Sequence, residues 1–459
     1  MGRAALVRCR QVAISTEYAL SAGERMLLQV PAAPRTLDES GLNIDLVTQL
    51  VLKTLHLAGT LSGLDLASRL GLQFPVIEPS LDELKWQHHV EIVAGSMIGG
   101  AAYTYRITDA GRERAALFFD HNHYAGIAPV PLDQYRRYLD RFQRAVVNHA
   151  TPENVRAAFS RLVLSDRVLD QLGPAVRAGR SLFVYGPPGN GKTVISQAIR
   201  NLLDGEIAIP HALVVEGAII RFYDPVNHEA LPVGPAAGGE SLDRGYSPDA
   251  RWVRCRRPSI TVGGELTLDS LELNYSPSTG FYRAPVQAIA NGGVLVIDDF
   301  GRQHCSPRDL LNRWIVPLEH GVDFLTLQTG QKFELPFVVL VVFATNLKPA
   351  ELVDEAFLRR IQYKVFAESP TYADFLTIFE NYCAQVGVEF DRAIVEQLLV
   401  EYFRPRRIPL RGCQPSALIE QALALAEYAG QSRRLTIDLL TAAGNSYFVD
   451  DGETPTEYA

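Results

Sequence analysis

The chain has 459 residues and a mass of 50.7 kDa, which is enough for about three domains of roughly 150 residues each. Hydrophobic residues make up 47% of the sequence and charged residues 21%, a globular composition that excludes a largely disordered or fibrous protein. The net charge of −8 disfavours a chain-wide surface for nucleic acid or for an anionic membrane.

The apolar runs and the cysteines predict the cellular location of the protein. The two longest apolar runs, residues 293–297 and 337–344, are far shorter than the ~20 residues of a membrane helix, so we expect no direct membrane insertion. Arg3, Arg8 and Arg10 interrupt the amino terminus, which therefore has no visible secretory signal. The five cysteines are scattered and lack metal-ligand spacing, as expected for free thiols in a reducing compartment. These features predict a cytoplasmic protein.

The N-terminal third begins with a weakly patterned stretch, residues 1–40, which predicts an arm. Apolar spacing then predicts a helix from Asn43, a second from Leu64 and a third from about Pro79. Two short strands follow, at 90–93 and 102–107. Three helices followed by two strands is the order of a winged helix, and residues 103–112 resemble the wing-to-last-helix passage of bacterial winged-helix regulators. This resemblance implies an N-terminal winged-helix domain over residues 41–120.

The rest of the chain divides by pattern into four further segments. Residues 121–180 predict a helical linker, with helical patterning from Leu132 to Leu172. Residues 181–369 predict a compact α/β domain, and residues 370–448 are nearly all helical. The acidic, polar end of the chain, residues 449–459, predicts a disordered tail.

A phosphate-binding loop is the strongest motif in the sequence. It follows the apolar segment 182–185, precedes helical residues, and matches G-x-x-x-x-G-K-[ST] in full. Backbone N–H groups of such a loop surround phosphate oxygens. Lys192 would reach the β- and γ-phosphates of ATP, and the Thr193 hydroxyl would hold Mg²⁺. The predicted nucleotide-binding residues are Gly186, Pro187, Pro188, Gly189, Asn190, Gly191, Lys192 and Thr193.

Polar residues end two further apolar strands. Residues 294–297 lead into Asp298, the expected partner of Mg²⁺, and Asp299, which lies where a base would orient the attacking water. Residues 337–345 lead into Asn346, whose side chain is able to hold that water or the γ-phosphate.

This order of motifs resembles the core of AAA+ ATPases. The resemblance implies an α/β P-loop AAA+ core, a parallel sheet flanked by helices, with a C-terminal all-α lid. It also implies an arginine that acts on the nucleotide of a neighbouring subunit, for which Arg360 and Arg359 are the candidates. The lid of the family often carries an arginine after a proline. Here Ser416 stands at that position, and the nearby Arg411 is the candidate replacement.

The whole chain resembles bacterial AAA+ ATPases with an amino-terminal winged helix, described as predicted ATPases with chaperone activity and linked to pilus assembly. Matching stretches include residues 185–193, 284–303 and 343–361. The resemblance implies a homo-hexameric ring that binds ATP and Mg²⁺ and remodels a protein partner. Two alternatives stay open: a DNA-acting regulator or loader that docks through the winged helix, and a scaffold that binds ATP but barely hydrolyses it. Residues 41–120 hold six basic against nine acidic residues, a net charge of −3, which disfavours DNA.

Two hairpins are predicted inside the α/β domain. One spans residues 259–268 around Gly263-Gly264, and the other spans residues 324–335 around Gly330. The arginines that precede the first hairpin are either solvated or part of a patch that contacts nucleic acid or another subunit; they are Arg251, Arg254, Arg256 and Arg257.

Overall fold

The structure is a computed structural model that describes residues 30–95, 99–146, 150–203, 205–232, 247–352 and 358–448. Most of the predicted arm, Cys9 and all of the predicted tail lie outside these residues. In the part of the chain that is described, no helix is both long and apolar enough to cross a membrane. The four cysteines within it are free thiols.

The N-terminal region packs five helices around a three-stranded antiparallel sheet. The helices are α1 (Leu37–Ser40), α2 (Ile44–Ala58), α3 (Gly63–Leu70), α4 (Phe74–Trp86) and α5 (Asp109–His121). The strands are β1 (Thr60–Ser62), β2 (Val90–Ala94) and β3 (Thr104–Ile107), in the order β1-β3-β2. Helix α2 begins where the Asn43 side chain accepts the Asp45 N–H, and it buries Val47 and Val51 completely. The third predicted helix is α4, and it begins at Phe74 instead of near Pro79. Pro75 occupies its first turn, where a helix needs no N–H donor.

The predicted helical segment 132–172 forms three separate helices instead of a continuous one. They are α6 (Leu132–Ala145), α7 (Pro152–Ala158) and α8 (Asp166–Arg177), and a short strand, β4 (Val130–Pro131), precedes them. A new helix starts at Pro152 because the Thr151 side chain accepts the Asn154 N–H and the proline takes the first position. The strand β4 joins a sheet whose other strands lie much later in the sequence, within residues 212–283.

The first sheet is the core of the molecule and is parallel throughout. Its order is β10-β13-β16-β5-β17, with helix α8 beside β17. Its strands are β5 (Leu182–Tyr185), β10 (Ser259–Val262), β13 (Val294–Ile297), β16 (Leu340–Thr345) and β17 (Tyr363–Phe366). Apolar side chains cover both faces, so the strands read as continuous apolar runs. The helices of this α/β P-loop core are α9 (Lys192–Ala198), α10 (Val286–Ile289), α11 (Pro307–Arg313), α12 (Ile315–His320) and α13 (Pro349–Leu352).

Four strands of a second sheet are inserted between β5 and β13, and its fifth strand, β4, precedes β5. The sheet has the order β11-β12-β8-β7-β4 and lies next to a two-stranded ladder of β6 and β9. The strands are β6 (Glu206–Pro210), β7 (Ala212–Val215), β8 (Ala218–Arg221), β9 (Trp252–Arg256), β11 (Asn274–Ser276) and β12 (Phe281–Arg283). The predicted hairpin over 259–268 is wrong, because β10 pairs in parallel with β13 and residues 265–268 form no strand. The hairpin of β14 (Val322–Thr326) and β15 (Lys332–Pro336) is confirmed.

The arginines of the insertion are paired within the chain. Arg254 and Arg256 form ion pairs with Glu206 and Glu229. Arg251 is buried, at 1% exposure, against Asp249. Its guanidinium also donates to the Ser40 carbonyl and to the Gln134 side chain, so we call Arg251, Asp249, Gln134 and Ser40 the arginine joint. The joint connects the N-terminal region, helix α6 and the second sheet.

The C-terminal region is helical and has its own apolar core. It contains α14 (Tyr372–Val386), α15 (Arg392–Leu398), α16 (Gln414–Tyr428) and α17 (Ile437–Tyr447), with a π-helical turn at Leu399–Phe403. Helix α14 starts with a capping box, in which the side chains of Thr371 and Asp374 each accept the other's backbone N–H. Arg411 lies in the loop before α16, and this loop contacts the α/β core at Gly189.

Candidate active site

The phosphate-binding loop lies at the carboxyl end of β5, in the middle of the first sheet. Gly186 has φ 146° and an added Cβ would lie 2.6 Å from the Ala367 carbonyl oxygen, so only glycine fits there. Among the described residues, none accepts a hydrogen bond from the N–H groups of Gly191, Lys192 or Thr193. Free donors at the start of a helix suit the oxygens of a phosphate.

Lys192 is 7% exposed and is aimed across the loop, where its Nζ donates to the Pro187 carbonyl at 2.8 Å. Burial lowers the pKa of this ammonium, while Asp299 and then Asp298 oppose the shift. The side-chain oxygen of Asn190 is buried without a partner among the described residues. A loop with a buried ammonium and free N–H donors fits the phosphates of ATP.

The Mg²⁺ residues predicted from the sequence lie in direct contact. The Thr193 hydroxyl donates to Asp298 Oδ2 at 2.8 Å, although 105 residues separate the two in sequence. They meet because β13 and β5 both end at this edge of the sheet, with β16 between them. A hydroxyl and a carboxylate are hard oxygen ligands of the kind that Mg²⁺ takes, and the remaining positions on the ion are usually filled by water and phosphate.

Asp299 and Asn346 also lie together. The Asn346 side-chain amide donates to Asp299 Oδ1 at 3.3 Å. Asp299 has φ 47°, a left-handed conformation that is uncommon outside glycine, and its N–H donates to Asp298 Oδ1 at 3.0 Å. Strained backbone of this kind concentrates at functional sites. The turn therefore presents two carboxylates in different directions, one toward Thr193 and one toward Asn346.

Gln303 holds this turn and was missed in the sequence. Its side-chain amide donates to the carbonyls of Asp298 and Asp299 at 3.0 and 3.3 Å, and its oxygen accepts the Gly301 N–H at 2.8 Å. An amide side chain a few residues after an acidic strand end was the available signal. It was too common a feature to single out by spacing alone.

The structure places Arg411 beside the phosphate-binding loop. An added Cβ on Gly189 would lie 3.5 Å from Arg411 Cβ and 2.6 Å from Cys413 Sγ, and the Cys413 N–H donates to the Gly189 carbonyl at 2.8 Å. Arg411 Nη1 donates to the hydroxyl of Ser369, which also accepts from Asn190. Ser416 caps its own turn by donating to the Cys413 carbonyl. The helical region thus touches the loop through Arg411 and Cys413.

The two candidate arginines lie elsewhere. Arg360 forms an ion pair with Glu319 at 2.5 Å, and its side chain is 19% exposed. Arg359 is exposed. Both precede β17, whose first residue pairs with the first residue of β5, so they lie toward the end of the first sheet opposite the phosphate-binding loop. Residues 353–357, which lead to them, lie outside the described part of the chain.

The C-terminal region matches a known domain family. Residues 371–446, which span α14 to α17, match a domain of unknown function, DUF8689. The chain has no significant match among curated proteins. Among solved structures, it is similar to NtrX from Brucella abortus in complex with ATP, with 14% identity, 70% of this chain and 63% of that chain covered, and a TM-score of 0.39. It is also similar to the Holliday junction branch migration motor RuvB of Thermotoga maritima, with 16% identity, coverage of 65% and 70%, and a TM-score of 0.35.

Proposed function

We propose that the protein is a Mg²⁺-dependent ATPase of the AAA+ class that forms a hexameric ring in the cytoplasm and remodels a protein partner. The observation that carries the proposal is the contact between the Thr193 hydroxyl and the Asp298 carboxylate at the mouth of the phosphate-binding loop. The helical region from 370 onward would be the lid. A chaperone-like role in pilus or secretion machinery follows from the family resemblance alone.

Each residue of the site has a chemical task in this proposal. Lys192 and the loop N–H groups bind and orient the phosphates, and Thr193 and Asp298 would hold Mg²⁺. The metal ion neutralises charge that develops on the phosphate oxygens. Asp299 accepts the proton of the attacking water, Asn346 holds Asp299 in place, and Gln303 keeps the turn in its left-handed conformation. Arg411 closes from the lid side.

Arg360 would complete the site of the next subunit in the ring. A guanidinium keeps its charge at any physiological pH and matches the oxygens of a transferring phosphoryl group. Within its own chain Arg360 is held by Glu319, so it must leave that carboxylate to reach a neighbouring nucleotide. Arg359, which is exposed beside it, is the alternative.

We propose that the N-terminal region is a winged helix, supported by its helices and its three-stranded sheet of order β1-β3-β2, and that it contacts a protein instead of DNA. Of its six basic residues, Lys53 is buried, and Lys85, Arg106 and Arg112 are paired with Asp82, Glu91 and Asp109. Trp86 and Leu57 expose 79% and 68% of their surface. Few cations are therefore left to neutralise phosphates, whereas exposed large apolar side chains suit a protein contact.

A pair of variants tests the ATPase. Asp299→Asn keeps the shape of the site but removes the proton acceptor, so we expect unchanged ATP affinity and turnover about 10²-fold slower. Lys192→Ala removes the charge that faces the phosphates and should abolish ATP binding. Calorimetric titration with ATP and a phosphate-release assay measure the two effects. Lys348→Ala and Asp140→Asn, two exposed positions, are the matched controls. Full turnover in Asp299→Asn would remove this residue from the mechanism.

The choice between a protein and a DNA partner is tested by stimulation of ATP turnover. We expect duplex DNA to leave the rate unchanged at about 50 mM salt, where electrostatic binding is strong. A severalfold increase with DNA that disappears at about 200 mM salt would favour the DNA-acting alternative.

A further inference from the structure

A cavity of about 290 Å³ lies between the N-terminal region and the second sheet, away from the phosphate-binding loop. One wall is the segment 123–127, which follows α5, and the other comes from residues on or next to β7, β8 and β12. The residues that determine its chemistry are His123, Tyr124, His211, Arg221, Tyr223 and Phe281. None of the residues that line it is acidic.

The charge in the cavity comes from Arg221. Within the described part of the chain, its guanidinium has no carboxylate and no hydrogen-bond partner. On the neighbouring parallel strand its register partner is Arg283, which is also exposed. Like charges on directly opposed residues destabilise a sheet. An anion bound at Arg221 would offset this repulsion.

The nearest acidic residue in sequence is already engaged. Asp224 follows Tyr223, but its carboxylate accepts the N–H of Val226 at 3.0 Å and the side-chain amide of Asn227 at 2.6 Å. It is thus turned toward its own loop.

His211 adds a neutral polar group. Burial, and then the charge of Arg221, lowers the pKa of this imidazole, so it is uncharged at neutral pH. Its carbonyl accepts the N–H groups of Phe222 and Tyr223 at 3.0 and 3.2 Å, which fixes the residue in place. An uncharged imidazole is able to donate or accept a hydrogen bond to a ligand without adding a second positive charge.

Aromatic rings form the remaining walls. Tyr124 and Phe281 meet edge to face, with centroids 5.7 Å apart, and His211 and Tyr223 do so at 5.4 Å. The Tyr124 hydroxyl donates to the Ile127 carbonyl at 2.6 Å, so this residue presents its ring rather than a free polar group. Paired rings of this kind favour a planar guest.

We propose that this cavity binds a small ligand that carries one anionic group on a planar ring, such as an aromatic carboxylate. The anionic group would pair with Arg221, and the ring would lie among Tyr124, Phe281 and Tyr223. The volume is at the lower end of the ~300–1,000 Å³ typical of ligand pockets, which suits a compact molecule. Because its two walls belong to different regions, the bound ligand links the N-terminal region to the second sheet.

The full-length protein is titrated calorimetrically with benzoate, with the neutral analogue benzamide and with acetate. We expect benzoate to bind with a Kd of about 1 mM or tighter, as its size allows. Benzamide lacks the charge and acetate lacks the ring, so each should bind at least about tenfold more weakly. Equal affinity for benzoate and benzamide, or no binding of benzoate at about 10 mM, would overturn the proposal.

Two variants locate the site. Arg221→Gln should weaken benzoate about tenfold, whereas Arg177→Gln, an exposed arginine on α8, should leave its affinity unchanged. Ala125→Phe fills the cavity without removing charge and should abolish benzoate binding. The urea midpoint of each variant without ligand verifies that it is folded. Undiminished binding in either folded variant contradicts the assignment.

Discussion

The phosphate-binding site and the arginine joint both gather charged side chains from distant parts of the chain, but their charges serve opposite purposes. At the site, Lys192, Asp298 and Asp299 lie at the edge of a sheet, where we propose that they bind ATP and Mg²⁺. In the joint, Arg251 and Asp249 are 1% and 2% exposed and satisfy each other. The proposed site thus places its charges for a ligand, whereas the buried joint uses them to hold parts of the same chain together.

The largest effect is expected at the proposed border between subunits. Arg360→Ala should bind ATP normally and hydrolyse it about 10³-fold more slowly, because the stabilising charge is missing from the neighbour's site. Mixing this variant with Lys192→Ala should restore part of the activity, since some borders then combine an intact arginine with an intact loop. Steady-state phosphate release is measured across mixing ratios.

The control for that experiment is Arg359→Ala, which tests the adjacent arginine in the same way. If Arg360→Ala gains no activity at any ratio although subunit exchange is verified, an action across the border is excluded. If only Arg359→Ala shows the loss and the rescue, that residue is the one that acts.

The second effect concerns the joint and acts on stability instead of turnover. Arg251→Met leaves the Asp249 carboxylate buried without its partner, so we expect the free energy of unfolding to fall by about 3 kcal/mol. Urea denaturation measures the change. The double variant Arg251→Met, Asp249→Leu removes both charges and should recover much of the loss. A single variant as stable as the parent would mean that water reaches Asp249.

The smallest effect comes from a second buried cation in the N-terminal region. Lys53 donates to the Asn122 carbonyl and side chain at 2.6 and 2.8 Å, and burial lowers its pKa to about 8. The folded protein then loses this proton before the unfolded chain does. Between about pH 8 and pH 10.5 stability should rise with pH, because only the unfolded chain holds this proton over that range. The full shift of the pKa would give roughly 3 kcal/mol, and solvent screening reduces the expected rise to about 1 kcal/mol.

Lys53→Met is the control for this pH dependence. The variant lacks the titrating group, so the difference in unfolding free energy between it and the parent should change over this pH range. A difference that stays constant would show that Lys53 titrates normally in the folded protein.

The sequence predicts the phosphate-binding site well and the arginine joint poorly. The loop 186–193 was predicted from its full match to G-x-x-x-x-G-K-[ST], and Asp298, Asp299 and Asn346 were predicted as polar residues that end apolar strands. The structure brings Thr193 and Asp298 together because parallel strands end at the same edge of the sheet.

The arginine joint could not be predicted, because its meaning depends on contacts with no local signal. Arg251 was interpreted among a row of arginines, either solvated or in a contact patch, and it is instead enclosed by Gln134 and the Ser40 carbonyl. The hairpin over 259–268 failed for a related reason. The short apolar run 259–262 followed by Gly-Gly predicts a strand and a turn. The pattern is the same whether this strand pairs with the next residues in sequence or, as observed, with β13.

Two hydrogen bonds connect the residues that follow β9 to the start of β13 in the first sheet. Arg257, directly after β9, donates from Nε to the Gly292 carbonyl at 2.6 Å, and the Val294 N–H donates to the Pro258 carbonyl at 2.9 Å. Gly292 lies just before β13 and Val294 is its first residue, while the other end of this strand leads into Asp298 and Asp299. A displacement at the arginine joint would therefore reach the start of β13 through β9. The two carboxylates lie four and five residues after Val294, so a shift of the start of this strand would change their position.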